Sequence, residues 1–211
     1  MSDLAGIDAN KVYLTEPDQD KTTGAVNIGR VGTAKAPTDA RTKLDATWTD
    51  SLGYVGEDGM TASGLIAAGD AIRDWAKKRI RTTSGEADPS ISLPAIQVDK
   101  AMAEMMVGTD NVTVTPATKT SGETIHIAFD GKPGPANALC FNMKDEARRV
   151  RVYVPSAQVT DLDTVSFVPS SANTFAMTLS LNADESGHYV YFIYDDGVVN
   201  AAQRGRSACS R

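Results

Sequence analysis

The sequence predicts a mainly β, antiparallel fold, and three observations lead there. Residues 148–192 alternate apolar and polar side chains with a period of two through several successive runs. Apolar residues make up only 41% of the chain, which fits either a sheet protein with long solvated connections or a subunit that buries surface on assembly. One short segment, after Asp99, combines helix start, apolar face and helix stop.

The C-terminal half justifies the first observation. In RRVRVYVP, Val150, Val152 and Val154 alternate with Arg149, Arg151 and Tyr153, so valines and arginines take opposite faces. Pro155 is expected to close that strand, because it has no N–H for the ladder. The bend SAQVTDLD and the run TVSFVP follow. Phe175, Met177, Leu179 and Leu181 then alternate with Thr174, Ala176, Thr178, Ser180 and Asn182. Asp184, Glu185, Ser186 and Gly187 read as a hairpin connection, with Gly187 free to take positive φ. Residues 188–194 are apolar or aromatic on both faces, as expected of a covered central strand.

Further upstream the pattern is less regular. Val12, Tyr13 and Leu14 form a short apolar patch in a polar segment that reads as an arm. GAVNIGRV, residues 24–31, reads as a short strand, and residues 32–50 as a long loop containing Pro37 and ending near Trp48. Loops of this length in compact domains usually have a function, and a tryptophan in one suggests docking. LGYVGEDGM, residues 52–60, reads as a strand broken by glycines. Leu65, Ile66, Ala68, Ile72, Trp75 and Ala76 recur at helical spacing, so the local pattern predicts a helix over residues 65–77 and a strand over 79–83.

SISLPAIQV, residues 90–98, alternates, and its Pro94 suggests an edge or bulge. Asp99 is a good N-cap, Met102, Met105 and Met106 share one face, and Gly108 ends the helix at about residues 100–107. Such a methionine face is more often core than a groove. Strands are expected at 111–115, 123–129 and 138–143, with the turn DGKPGP between the last two.

No arrangement for catalysis stands out. The sequence lacks a G-x-S-x-G elbow, a Walker A loop and a G-x-G-x-x-G turn. His126 and His188 fall in or beside expected strands. The acidic pairs Glu57–Asp58, Asp161/Asp163 and Asp195–Asp196 lack EF-hand spacing and read as solvated turns. Cys140 and Cys209 are too far apart in sequence to suggest a disulfide framework or a zinc pattern. Cys140 reads as a small core residue and Cys209 as a free thiol. No cofactor or metal is expected, and the protein is read as a non-enzyme. A net charge of −6 argues against nucleic-acid binding through phosphate neutralisation. No secretory signal or membrane-length apolar run is present, which predicts a soluble chain made in the cytoplasm.

Several segments together resemble the major tail tube proteins of long-tailed, non-contractile bacteriophages, especially those infecting actinobacteria. They are VGTAKAPTDARTKLDATWTDSLGYVGEDGMT, DAIRDWAKKRIRTT, VDKAMAEMMVGTDNVTVTP and the sheet from RRVRVYVPSAQV to YFIYDDG. The resemblance spans about residues 31–197, and the order and spacing of the segments carry it.

It implies a β-sandwich or barrel-like tail-tube subunit, one domain over residues 1–211, with one flanking short helix. An N-terminal arm is implied at 1–20, a long inter-ring stacking loop at 32–50 and a C-terminal arm at 198–211. Six copies form a ring, and rings stack into the conduit through which genomic DNA passes without specific binding. The implied partners are the chain itself, a tape measure protein, a tail terminator and distal tail or baseplate proteins, in a virion tail. Onto this sequence the resemblance places Lys35, Pro37, Arg41, Lys43 and Trp48 at inter-ring contacts, and Thr178, Ser180 and Asn182 on a lumen face. It also makes residues 61–81 largely extended, against the local helical pattern.

Two further readings stay open: a virion β-sandwich decoration or host-glycan-binding module, which would cluster aromatics on one face, and a secretion-type tube. The Arg-bearing tail, with Arg204, Arg206 and Arg211, would either pair with the next ring's acids or have no fixed structure.

Overall fold

The computed structural model describes residues 11–18, 25–163, 165, 167, 169–170 and 172–198. The elements are β1 (Glu16–Pro17), β2 (Val26–Arg30), β3 (Trp48–Ser51), β4 (Thr61–Ser63), β5 (Ala68–Arg73), β6 (Arg79–Ser84) and β7 (Ser90–Ala95). Then come α1 (Lys100–Val107), β8 (Val112–Thr115), β9 (Thr124–Ile127), β10 (Ala136–Asp145), β11 (Arg148–Leu162), β12 (Phe175–Leu181) and β13 (Tyr191–Asp195). Among the described residues the fold is mainly β with one α-helix, consistent with a β-sandwich and not closed into a barrel.

Nine strands form one antiparallel sheet in the order β3-β2-β10-β11-β12-β7-β4, with β1 also on β10 and β13 also on β11. β5–β6 and β8–β9 are separate hairpins. The main core lies on one face of the sheet, where Leu93, Leu139, Val152, Val154, Met177 and Leu179 are almost fully buried.

Helix α1 covers part of that core with Met102, Met105 and Met106, as the sequence predicts. Asp99 Oδ1 accepts from the Met102 amide at 2.8 Å, supplying one of the helix's unsatisfied N-terminal donors with a partner. Gly108 takes φ 84 and donates to the Glu104 carbonyl.

Strand β11 corrects two expectations. Pro155 does not end it; the strand runs on through the segment read as a bend to Leu162. Pairing explains why. On one side the register slips between Asn137 and Leu139, so Ala138 faces an extra residue, a bulge at Pro155 and Ser156. On the other side β13 pairs with residues 149–153 and β12 with residues 157–162. Pro155 falls in the gap between those partners, where its missing N–H costs no ladder bond.

The same arrangement corrects the C-terminal hairpin. The turn at Asp184–Gly187 forms, with Gly187 at φ 81 donating to the Asp184 carbonyl at 2.9 Å. The strands it joins do not pair with each other, because both pair with β11, end to end. Strand β13 is consequently an edge strand, not a covered central one, and Phe192 and Tyr194 are exposed.

Residues 65–77 contain no helix. They enter the β5–β6 hairpin, with Ile72 opposite Arg81 and Ala71 opposite Thr82. An eight-residue-plus apolar stripe stabilises a helix only against a surface, and this segment meets none: Ile66 and Trp75 are fully exposed. β-branched partners and the turn at Asp74 favour local pairing instead. Residues 52–60 are not a strand either. Val55 makes one isolated bridge to Ala95, and Gly53 and Gly59 at positive φ break the ladder on either side.

Other expectations fall partly or wholly outside the described residues. These are most of the two terminal arms, Cys209, Arg204, Arg206, Arg211 and much of TVSFVP. Of the N-terminal apolar patch, Val12 and Leu14 are exposed.

Candidate functional site

Two surfaces hold the residues expected at contacts between rings and at the lumen. The first is the loop over residues 32–50, which lies on the face of β2, β10 and β11 away from the core. That face would otherwise expose Asn27, Cys140, Arg151 and Tyr153, all buried here. Gly29 makes the close approach possible: a Cβ there would lie 2.6 Å from Ala34 Cβ and 3.1 Å from the Trp48 ring.

The loop is held by directional bonds. Trp48 Nε1 donates to the Lys35 carbonyl at 3.0 Å, and the Lys35 amide donates to Thr47 Oγ1 at 3.0 Å. The Trp48 ring meets Tyr153 edge-on at 6.0 Å, and Tyr153 stacks on Tyr191 at 5.8 Å. Arg41 binds Asp195 through two nitrogens, at 2.5 and 2.9 Å, and donates to the Ala147 carbonyl at 2.6 Å. Asp195 is held below the usual carboxylate range first by the Arg41 hydrogen bond.

Asp39 organises the centre of the loop. Its Oδ1 accepts from the Thr42 and Arg41 amides at 2.5 and 2.7 Å, and its Oδ2 accepts from the Thr42 hydroxyl at 2.7 Å. The Thr42 amide, then the Thr42 hydroxyl and the Arg41 amide, lower its pKa to about 2. Its carbonyl in turn accepts from buried Arg151 Nη1 at 2.7 Å, while Arg151 Nε donates to Asn142 Oδ1 at 2.7 Å. Sequence reading did not single out Asp39 or Arg151. The D-x-x-T spacing of Asp39 and Thr42 is a legible turn signal; nothing local reveals that Arg151 is buried.

Of the residues expected on this loop, Arg41 and Trp48 are thus engaged within the subunit. Pro37 is half-buried. Lys35 and Lys43 are exposed and form no ion pair among the described residues.

The second surface is the outer face of β4, β7, β12 and the end of β11. Thr178 and Ser180 lie there, on the side of β12 opposite buried Met177 and Leu179. Register brings further hydroxyls beside them: Ser92 opposite Thr178, Ser90 opposite Ser180, then Thr61 and Ser63 opposite Ser92 and Ser90. Ser63 and Ser90 share a hydrogen bond at 3.0 Å, and Thr160 and Ser180 share one at 3.1 Å. Asn182 lies just past β12 and donates to Ser156 Oγ at 3.3 Å. Strands β4, β7 and β12 contain no charged residue, and the adjoining end of β11 brings one carboxylate, Asp161, opposite Thr178.

The polar groups noted for chemistry are dispersed. His126 and His188 are exposed on separate elements, and His188 lies 3.3 Å from the Tyr191 hydroxyl. Among the described residues, no three His, Cys, Asp or Glu side chains gather as metal ligands do. Asp195 is taken up by Arg41, and Asp184 accepts from the Tyr191 hydroxyl at 2.5 Å. Burial pushes the Cys140 thiol up to about 12, so it is not a nucleophile at neutral pH. No described helix is long and apolar enough to cross a membrane.

No curated protein matches the chain. The family described as phage tail tube protein matches residues 21–204. That match takes in every strand of the nine-stranded sheet except β1, together with the loop that covers its back and the hydroxyl face, and the chain belongs to the phage tail tube protein family.

Proposed function

We propose that this protein is the structural subunit of a tail tube of the long-tailed, non-contractile kind, in which homohexameric rings stack into a conduit for genomic DNA. The observation that carries the reading is the hydroxyl face of β4, β7 and β12, which bears no cation and is backed by an apolar core. Such a face suits a lumen. It is wetted by water, yet offers no cation to bind phosphate, and phosphate neutralisation supplies essentially all non-specific DNA affinity. Thr178, Ser180 and Asn182 are assigned to this lumen face, with Ser90, Ser92 and Thr160 beside them. The net charge of −6 per subunit adds long-range repulsion of DNA.

Unpaired sheet edges support the assembly itself. β3, β4 and β13 each have a free side, and joining sheets between subunits removes such edges. The loop over residues 32–50 is assigned to contact between rings. Arg41, Pro37 and Trp48 fix its shape from within, and Lys35 and Lys43 present charge outward. Tape measure, tail terminator and distal tail or baseplate proteins complete the tail, and catalysis plays no part in this role.

Negative-stain microscopy of the purified protein over a range of concentrations tests the reading. Rings and tubes of uniform width with an open lumen are the expected result. A protein that stays monomeric at high concentration and binds a glycan would overturn it.

A further inference from the structure

The β5–β6 hairpin stands apart from the rest of the molecule. None of its residues is buried, and Trp75 at its tip and Ile80 on β6 are exposed. Isolated two-stranded hairpins are marginally stable in water, so a projecting one with apolar residues implies a surface that covers it. Its turn is nevertheless well organised. The Asp74 amide donates to the Lys78 carbonyl at 3.0 Å, the Lys77 amide donates to the Asp74 carbonyl at 2.9 Å, and Asp74 Oδ1 accepts from the Lys78 amide at 2.7 Å. These bonds fix the backbone on both sides of Trp75, whose side chain is fully solvated.

The hairpin's charge is opposite to that of the chain. Arg73, Lys77, Lys78, Arg79 and Arg81 outnumber Asp70 and Asp74, giving +3 in a chain of net −6, so everything else carries −9. None of the five cations forms an ion pair among the described residues. Arg73 Nη1 donates to the Lys77 carbonyl, which keeps it near the tip, and Arg79 donates to the Thr82 hydroxyl further along β6.

A complementary hollow exists elsewhere on the subunit. Between the residue 55–60 turn and strands β1, β2 and β10 lies a cleft of about 400 Å³. Val26, Phe141, Met60 and Pro17 line it, and Glu57 and Asp58 form its lip. The bond from the Gly59 amide to the Gly56 carbonyl, 2.9 Å, makes the turn that presents those two carboxylates side by side. Neither is in an ion pair among the described residues. The hollow is apolar with an acidic lip, and the hairpin tip is an indole followed by two lysines.

We propose that Trp75 of one subunit seats in the Val26–Met60–Phe141 cleft of a neighbouring copy, with Lys77 and Lys78 against Glu57 and Asp58. Trp75 is solvated in its own subunit, so the contact joins two molecules. A knob on one surface and a hole on another make a head-to-tail interface, which propagates or closes into a ring rather than stopping at a dimer. An indole buries about 150–250 Å² and is among the side chains most often dominant at interfaces. The inference rests on the tube reading and specifies one of its contacts, distinct from the 32–50 loop.

The test compares the lowest concentration at which rings or tubes appear, by light scattering and microscopy. Trp75→Ala, Lys77→Glu with Lys78→Glu, and Glu57→Lys with Asp58→Lys should each raise it at least tenfold. Combining the two charge reversals in one chain should recover most of that loss. Mixing Trp75→Ala with Glu57→Lys/Asp58→Lys leaves one intact knob and one intact cleft, and should give heterodimers that grow no further. Each variant's monomer should keep the wild-type thermal midpoint, because the changed side chains are solvent-facing. Assembly of all variants at the wild-type concentration would overturn the contact while leaving the tube reading in place. A wild-type protein that never assembles would instead remove the tube reading. Unchanged assembly together with weaker retention of duplex DNA by the lysine variant would mean that nucleic acid, not a second copy, meets the hairpin.

Discussion

Arg41 grips Asp195 with Nε on Oδ2 at 2.5 Å and Nη2 on Oδ1 at 2.9 Å, and so ties the middle of the 32–50 loop to edge strand β13 across 154 positions of sequence. The two side chains are 43% and 30% exposed, so water screens the charges. A paired geometry of this kind contributes about 0.5–1 kcal/mol. A double-mutant cycle with Arg41→Ala and Asp195→Ala, read by urea denaturation, should return a coupling energy in that range. Arg41→Lys cannot bridge both oxygens and should recover less than half of it. Zero coupling would mean that the loop is held without this pair.

Asp39 should give the loop a characteristic acid sensitivity. Its folded pKa is depressed from 3.8 to about 2, with the Thr42 amide as the leading cause. A depressed carboxylate adds stability that is present above its unfolded pKa and is lost as pH falls through the folded one. The contribution is thus complete above about pH 5 and is lost between about pH 4 and pH 2. Asp39→Ala should lower the thermal midpoint at pH 7, and the two proteins should converge as pH approaches 2. Parallel curves down to pH 2 would show that Asp39 stays charged in both states.

Sequence reading succeeded where local chemistry decides. Asp99, the methionine face and Gly108 marked α1 because a cap, a face and a stop are all short-range features. The alternation around Met177 and Leu179 marked β12 because one face of that strand is buried and the other is not. Failures cluster where distant partners decide. Pro155 lies within β11 because β13 and β12 happen to meet its edge on either side of it. The helical spacing of Leu65, Ile72 and Trp75 lost to a hairpin because no surface was there to receive the stripe. Arg151 sits buried because the 32–50 loop folds back over it, and no window around residue 151 contains that loop. The candidate residues divide the same way. Thr178 and Ser180 were legible from alternation, but Ser90 and Ser92 joined them only through the β12–β7 register.

The hydroxyl face offers a direct functional prediction. Thr178→Arg with Ser180→Arg adds two cations per subunit to a surface whose three strands carry none. Both positions are half-exposed and sit outside the core, so the monomer should lose no more than about 1 kcal/mol. Tubes of the double variant should retain duplex DNA at low salt and release it as salt rises, since each neutralised phosphate steepens the salt dependence. Wild-type tubes should retain none under the same conditions. Equal retention by both would place these side chains away from the channel.

Glu146 provides a test that depends only on backbone geometry. It occupies the two-residue turn between β10 and β11, where Asp145 faces Arg148, and its φ is 50. An L side chain in that region is disfavoured by about 1–2 kcal/mol, whereas glycine enters it freely. Glycine also gives the unfolded chain more freedom, which offsets about 0.4–1 kcal/mol of the gain. Glu146→Gly should therefore stabilise the protein by roughly 0.5–1 kcal/mol in urea denaturation. Glu146→Ala separates the two possible causes, since it removes the charge beside Asp145 but keeps the Cβ. Alanine should give no gain; a gain equal to glycine's would trace the effect to repulsion from Asp145 and not to the left-handed backbone.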